Sequence, residues 1–146
     1  TGDGDDMLYL SEVADNSIYD LGAGDDTIEV GSPGDTVRIY GRGGQDTIAL
    51  DTGGGDVDAK IYFTSMNDFV SGSAETVTGF DSGSDDIVIS ISGVNSVTVE
   101  NDTVQVAGVA AGVYVDETND VIYVSDGTDL GVINVNGIND TDIELF

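Results

Sequence analysis

The turn "GDGDD" at residues 2–6 returns as "GAGDD" at 22–26 and, loosened, as "GRGGQD" at 41–46. Each is followed at once by a short apolar strand: "MLYL", "TIEV" and "TIAL". A recurrence near twenty residues that keeps Gly and Asp in frame constrains the chain to stack turn on turn. Weaker turns, "EVADN" and "GSPGD", fall between the strong ones. The expected inward residues are Leu8, Ile18, Ile28, Val37 and Ile48, at steps of 10, 10, 9 and 11. Two residues before each stands an oxygen side chain: Asp6, Asn16, Asp26, Asp35 and Asp46. Tyr9 and Tyr19, one place after an inward residue, are expected to point outward, because strand side chains alternate between faces. Two strands and two turns per coil put the strong turns on one edge and the weak turns on the other. Coils then lie about 4.8 Å apart, the spacing of neighbouring strands, and Asp6, Asp26 and Asp46 form one ladder.

Such a ladder is expensive. Two carboxylates about 5 Å apart repel by roughly 1–3 kcal/mol near a protein surface. The chain aggravates the problem, with 29 acids against three bases (Arg38, Arg42 and Lys60) and a formal charge of -26 over 146 residues. Asp supplies 23 of those acids and Glu six, whereas a surface charged only for solubility mixes signs. Short carboxylates in Gly-rich turns suit hard cations. Ca²⁺ takes six to eight oxygens at about 2.3–2.6 Å, and Mg²⁺ keeps its waters and demands a tighter octahedron. Several Ca²⁺ ions between coils would reverse the sign of the repulsion. The absence of His and Cys removes the commonest transition-metal ligands and all thiol chemistry. Scarce Lys and Arg argue against nucleic acid as a partner. No run of about 18 apolar residues is present, and membrane insertion is not expected.

Downstream the coil period fades. "DTGGGDVDAKIYF" reads as one more degenerate turn and strand, and "TSMNDFVSGS" as a loop. Period-two strands follow in "TVTGF", "DIVISI", "SVTVE", "TVQV", "GVYVD", "VIYVS", "GVINV" and "DIELF". "VTVENDTVQV" and "VYVDETNDVIYV" read as hairpins with polar turns.

"TGDGDDMLY" and "LGAGDDTIE" resemble the nonapeptide G-G-x-G-x-D-x-U-x of the repeats-in-toxin (RTX) family. Gly2, Gly4 and Asp6 match it, as do Gly22, Gly24 and Asp26, with Thr1 and Leu21 in place of the first Gly. "GRGGQDTIA" matches at Gly41, Gly44 and Asp46, with Arg42 replacing the second Gly. On the other edge Asn16 and Asp35 hold the aspartate position, but Ala14 and Pro33 replace glycine. "ETVTGFDSGSDDIVIS" is similar to the segment that follows the last repeats in that family, and "VYVDETNDVIYVSDG" and "GVINVNGINDTDIELF" look like its C-terminal flank.

The resemblance implies an all-β fold: a parallel β-roll, the RTX solenoid, over residues 1–63, then a β-rich C-terminal flanking or capping region over 64–146 with a candidate secretion signal at its end. It implies Ca²⁺ between same-edge turns, held by Asp6 with Asp26 and by Asp26 with Asp46, in turns shaped by Gly2, Gly4, Gly22, Gly24, Gly41 and Gly44. Asn16 and Asp35 would serve the weaker edge, Asp56 or Asp58 a further site, and Asp86 a turn capping the stack. Thr1 stands inside a repeat, so a segment of a longer protein is expected. The implied function is calcium-dependent folding of a secreted bacterial protein after export by the type I secretion machinery, which would be a partner. An alternative is a calcium-dependent assembly module of a surface layer or adhesin, self-associating at a cell surface.

Blander readings account for other features. Asp126 and Asp129 in "SDGTDL" read as a hairpin turn. Tyr9, Tyr19 and Tyr40 would make a sugar-stacking strip, but Glu29, Arg38 and Ala49 interrupt it. The row Met7, Ser17, Thr27, Thr36 and Thr47 would place hydroxyls as an ice binder does, yet β-propensity alone explains the threonines. Asn101 and Asn139 open formal glycosylation sequons. Catalysis is not expected: the acids are periodic, and the chain holds neither a nucleophile elbow nor a phosphate loop.

Overall fold

The computed structural model describes residues 1–31, 36–54, 57–70, 73–99 and 109–146. The chain begins by crossing between two sheets. Strands β1 (Gly2–Asp3), β2 (Met7–Leu10), β3 (Ser17–Ala23), β4 (Thr27–Val30), β5 (Thr36–Gly43), β6 (Thr47–Ala49), β7 (Asp58–Phe63), β8 (Glu75–Thr78) and β9 (Asp86–Ile89) alternate strictly, odd strands in one sheet and even strands in the other. Each strand pairs in parallel with the next strand of its own sheet, as in Leu8 with Ile28 and Ile28 with Ile48. A parallel pair needs a crossover connection, and the strand in the opposite sheet supplies it.

The later strands β10 (Val97–Val99), β11 (Gly112–Asp116), β12 (Val121–Ser125), β13 (Leu130–Val135) and β14 (Ile143–Leu145) extend both sheets. The first sheet is six-stranded, in the order β1-β3-β5-β7-β9-β14, and wholly parallel. The second is eight-stranded, in the order β10-β11-β12-β13-β8-β6-β4-β2. It is mixed, because β11, β12 and β13 meander antiparallel while β13 pairs in parallel with β8. Helix is confined, among the described residues, to two single 3-10 turns at Met66–Asp68 and Asp140–Asp142.

This topology corrects the expected fold. The molecule is not a parallel β-roll solenoid followed by a cap, but two multi-stranded sheets, one parallel and one mixed, each carrying strands from both halves of the chain. The physical reason lies in the connections. Short polar turns between Asp116 and Val121 and between Ser125 and Leu130 can only join antiparallel neighbours, so the second sheet cannot stay parallel. The strand β14, 84 residues after its ion-pair partner Lys60, then closes the first sheet in parallel with β9. The hairpin expected at "VTVENDTVQV" lies mostly outside the described residues, of which Val97–Val99 pairs in parallel with β11.

One hydrophobic cluster takes side chains from both sheets, including Leu21, Ile39, Ile61 and Ile87 from the first and Ile28, Ile48, Val77 and Ile133 from the second. Ile18 is not part of it. Ile18 is 61% exposed, and Tyr19 packs on the core instead. The turn before β3 closes with Ser17 N–H donating to the Ala14 carbonyl, 3.1 Å, and carries Asn16 in the left-handed region at φ 62°. Ser17 therefore pairs with Val37 and Tyr19 with Ile39. A one-residue change in phase sends every side chain of a strand to the opposite face.

Candidate metal centre

The strong turns are the links that carry the chain from the parallel sheet into the mixed one. They stack in register through the backbone. Thr27, Thr47 and Thr76 N–H donate to the carbonyls of Asp6, Asp26 and Asp46 at 2.8, 2.8 and 3.0 Å. Gly24 N–H donates to the Gly43 carbonyl at 2.8 Å. Gly2, Gly22 and Arg42 form one column of the stack, Arg42 with φ 72°. Gly4, Gly24 and Gly44 form another, and there glycine is required. Gly44 has φ 141°, and a Cβ on it would collide with the Gly24 carbonyl oxygen.

Inside this stack runs a ladder of carboxylates. Asp6 N–H donates to Asp26 Oδ1 at 2.7 Å, Asp26 N–H to Asp46 Oδ1 at 3.0 Å, and Asp46 N–H to Glu75 Oε2 at 2.6 Å. Burial deepens along it: Asp6 is partly exposed, whereas Asp26, Asp46 and Glu75 are 1%, 2% and 2% exposed. A second column runs outside the first. Asp25 N–H donates to Asp5 Oδ1 at 3.0 Å and Gln45 N–H to Asp25 Oδ1 at 2.8 Å. The Gln45 amide then donates to the Ala74 carbonyl at 3.0 Å, so this column ends in a neutral group.

Asp26, Asp46 and Glu75 each spend one oxygen on the preceding turn. The other oxygens of Asp26 and Asp46 have nothing. Their Oδ2 atoms are, among the described residues, the buried side-chain polar atoms without a hydrogen-bond partner. A buried orphan of this kind costs about 1–3 kcal/mol, and more when charged. Burial pushes the Asp46 carboxyl up to about 7 and that of Glu75 up to about 8, with Asp25 and Asp68 adding like charge to both. Burial raises Asp26 as well, reinforced by the charges of Asp6 and Asp5. Asp46 Oδ2 lies 2.6 Å from the place a Gly41 Cβ would occupy, so the missing side chain at Gly41 leaves room for that oxygen.

The chemistry fits a hard divalent cation. Unpartnered, desolvated carboxylate oxygens set in glycine turns are the oxygen donors that a hard cation such as Ca²⁺ prefers. Among the described residues no three Asp, Glu, His or Cys side chains converge on one point. The ladder offers its acids in pairs, and the remaining oxygens of a six- to eight-coordinate ion would come from turn carbonyls and water.

The other expected ligands lie elsewhere. Asn16 is exposed on the opposite edge, and Asp35 and Asp56 lie outside the described residues. Asp58 opens β7 beside Thr36, away from Asp46. Asp86 stands on β9 and is ion-paired with Lys60 at 2.8 Å, so it belongs to a salt bridge and not to a turn of the ladder. The opposite-edge carboxylates are spent on backbone. Asp15 accepts from Thr36 N–H at 3.2 Å, Asp51 from Val57 N–H at 2.9 Å, and Asp85 from both Ala59 and Asp81 N–H at 2.7 and 2.8 Å.

Glu75 is the ladder member that spacing concealed. It follows Asp46 by 29 residues where the other rungs are 20 apart. Its signal was present in the pattern acid-Thr-apolar, shared by "DTI" at 26–28, "DTI" at 46–48 and "ETV" at 75–77. The tyrosines do not form a strip. Tyr9 is 64% exposed on β2, Tyr19 packs on the core, and Tyr40 stacks on Tyr62 at 4.6 Å in the other sheet. Ser17 and Thr36 likewise fall in a different sheet from Thr27 and Thr47.

Among known proteins, the chain matches no protein-family model, and no curated protein matches it.

Proposed function

We propose that this chain is a calcium-dependent folding module, of the kind its repeats-in-toxin-like turns imply for a secreted bacterial protein. The observation that carries the reading is the pair of buried, unpartnered oxygens, Asp26 Oδ2 and Asp46 Oδ2, in a ladder of acids one strand spacing apart. Asp6 with Asp26, and Asp26 with Asp46, hold the ions. Bound Ca²⁺ supplies positive charge between the rungs. The chain supplies the rest: glycine columns that let the turns approach, backbone hydrogen bonds that set the register, and burial that excludes competing water. Without the ion the rungs repel and the stack is disfavoured. With it, binding free energy becomes folding free energy. In a calcium-poor cytosol the chain stays unfolded and fit for type I export, and it folds outside.

The test is a Ca²⁺ titration of chelator-treated protein followed by far-UV circular dichroism, with light scattering on the same sample. A cooperative gain of β signal that Mg²⁺ does not reproduce is expected. Scattering that rises with that transition would move the reading to a surface-layer or adhesin module in which Ca²⁺ also joins neighbouring molecules. A chain fully β-folded in chelator and indifferent to Ca²⁺ would sink both.

A further inference from the structure

We infer that Glu75 is the closing rung of the ladder: with Asp46 it completes a third divalent-cation site, and the ion there ties the Gly/Asp turns to the strands of the second half. This rests on the calcium reading above and extends it to a residue outside the repeat.

Three features of the geometry repeat at Glu75. Its Oε2 receives the Asp46 N–H as Asp46 Oδ1 receives the Asp26 N–H and Asp26 Oδ1 the Asp6 N–H. The residue after it, Thr76, donates to the carbonyl of the rung above just as Thr27 and Thr47 do. Thr47 is paired with Thr76 and Ile48 with Val77, as Thr27 and Ile28 are paired with Thr47 and Ile48. The nine extra residues between the rungs leave this register intact. Their first part is looped out and self-contained: Asp68 accepts from Thr64 and Ser65 N–H at 2.6 and 3.1 Å, and Ser65 caps the 3-10 turn.

Charge supports one divalent ion at this rung. Asp46 and Glu75 are both 2% exposed, and Gln45 replaces the outer aspartate beside them. Shared along the ladder, Asp6, Asp26, Asp46 and Glu75 together with the outer Asp5 and Asp25 carry six negative charges against three divalent ions, and a buried charge is tolerated only when paired. Asp46 Oδ2, buried and without a partner, is the open donor. The consequence is mechanical coupling. β8 pairs with β6 on one side and with β13 on the other, where Glu75 itself is opposite Ile133. An ion held by Asp46 and Glu75 therefore fastens β8 to the turns and, through β8, the antiparallel meander to the parallel strands.

Glu75→Gln tests this, since the amide oxygen can still accept the Asp46 N–H while the charge is lost. Bound Ca²⁺ per chain is counted by equilibrium dialysis, and urea midpoints are measured in saturating Ca²⁺, with the exposed Asp129→Asn as control. The expected result is one ion fewer per chain than wild type, and a lower urea midpoint. Asp129→Asn should leave both the count and the midpoint alone. An unchanged ion count, whatever the midpoint does, would reduce Glu75 to a structural hydrogen-bond acceptor and overturn the proposal. Wild type that binds no Ca²⁺ would overturn the calcium reading itself. Wild type that binds Ca²⁺ with Glu75→Gln binding as many ions would overturn this inference alone.

Discussion

Asp46 and Asp85 are the same residue at the same burial, each 2% exposed, on opposite edges of the molecule. Asp85 gives both oxygens to backbone N–H groups, of Ala59 and Asp81. Asp46 gives one oxygen to Asp26 N–H and leaves the other without a partner. The difference teaches what separates an aspartate whose carboxylate is fully bonded from one that keeps an oxygen free. Burial and turn position are common to both edges. What distinguishes them is whether the local backbone uses up the carboxylate. On the Asp85 edge the turns are irregular, and their N–H groups point at the acids. On the Asp46 edge the turns are stacked copies, so their N–H groups are consumed one per rung and an oxygen is left over at Asp26 and at Asp46.

The largest expected effect contrasts glycines on the two edges. Gly44→Ala forces a Cβ into the Gly24 carbonyl at φ 141° and is expected to cost about 3–5 kcal/mol in urea unfolding. Gly54→Ala, at φ 79° with nothing within 4 Å, should cost about 1 kcal/mol. Equal costs would mean that the turns are not stacked as described.

Next comes pH, in chelator. A carboxyl whose folded pKa is raised favours folding below its unfolded value, and loses that contribution as pH rises through the folded one. With Asp46 raised from 3.8 to about 7 and Glu75 from 4.5 to about 8, stability should fall as pH climbs from about 4 to about 8. The size is on the order of a few kcal/mol. In saturating Ca²⁺ the carboxylates are held ionised and this fall should vanish. A thermal melt across pH that rises toward pH 8 in chelator would contradict the buried ladder.

A smaller effect separates the two aspartates directly. Asp85→Asn turns one of two needed acceptors into a donor and should lose about 2–3 kcal/mol in saturating Ca²⁺ with the number of bound ions unchanged. Asp46→Asn keeps its single hydrogen bond, so its loss of stability should come with a loss of bound Ca²⁺. Parallel behaviour of the two variants would erase the distinction between the edges. Smallest of all is Arg42→Gly. It relieves a left-handed non-glycine residue at φ 72° but removes an exposed pair with Asp20 at 2.8 Å, a hydrogen bond to Thr64 Oγ1 at 3.2 Å and a place over the Tyr40 ring. A gain of about 1 kcal/mol opposes small losses at the surface, so the urea midpoint should move little.

Much of the strong edge was legible beforehand. Gly22 and Gly24 repeat Gly2 and Gly4, Asp26 and Asp46 repeat Asp6, and a constant interval converts directly into a constant hydrogen-bond register. Three things were not legible. Ile18 and Tyr19 exchange faces because Asn16 takes up a left-handed position in the preceding turn, and no local apolar pattern records that. Asp86 looked like a turn ligand but is drawn to Lys60, a partner 26 residues away, by opposite charge. The expected β-roll with a cap became two shared sheets because β11–β13 fold back as hairpins while β14 returns to the parallel sheet.

By itself, then, the sequence determined that this chain is built of short strands, that glycine turns carrying acids recur about every twenty residues, and that these turns concentrate part of a -26 charge. These are properties of interval and composition, which survive without knowledge of contacts. Only the tertiary structure decided which carboxylate oxygens remain unpartnered, that Glu75 continues the line of Asp6, Asp26 and Asp46 across a 29-residue interval, and that the two halves share their sheets. The reason is that hydrogen-bond partners are allotted between strands, by the register of neighbours far apart in the chain, and a looped-out segment changes the interval without changing the register.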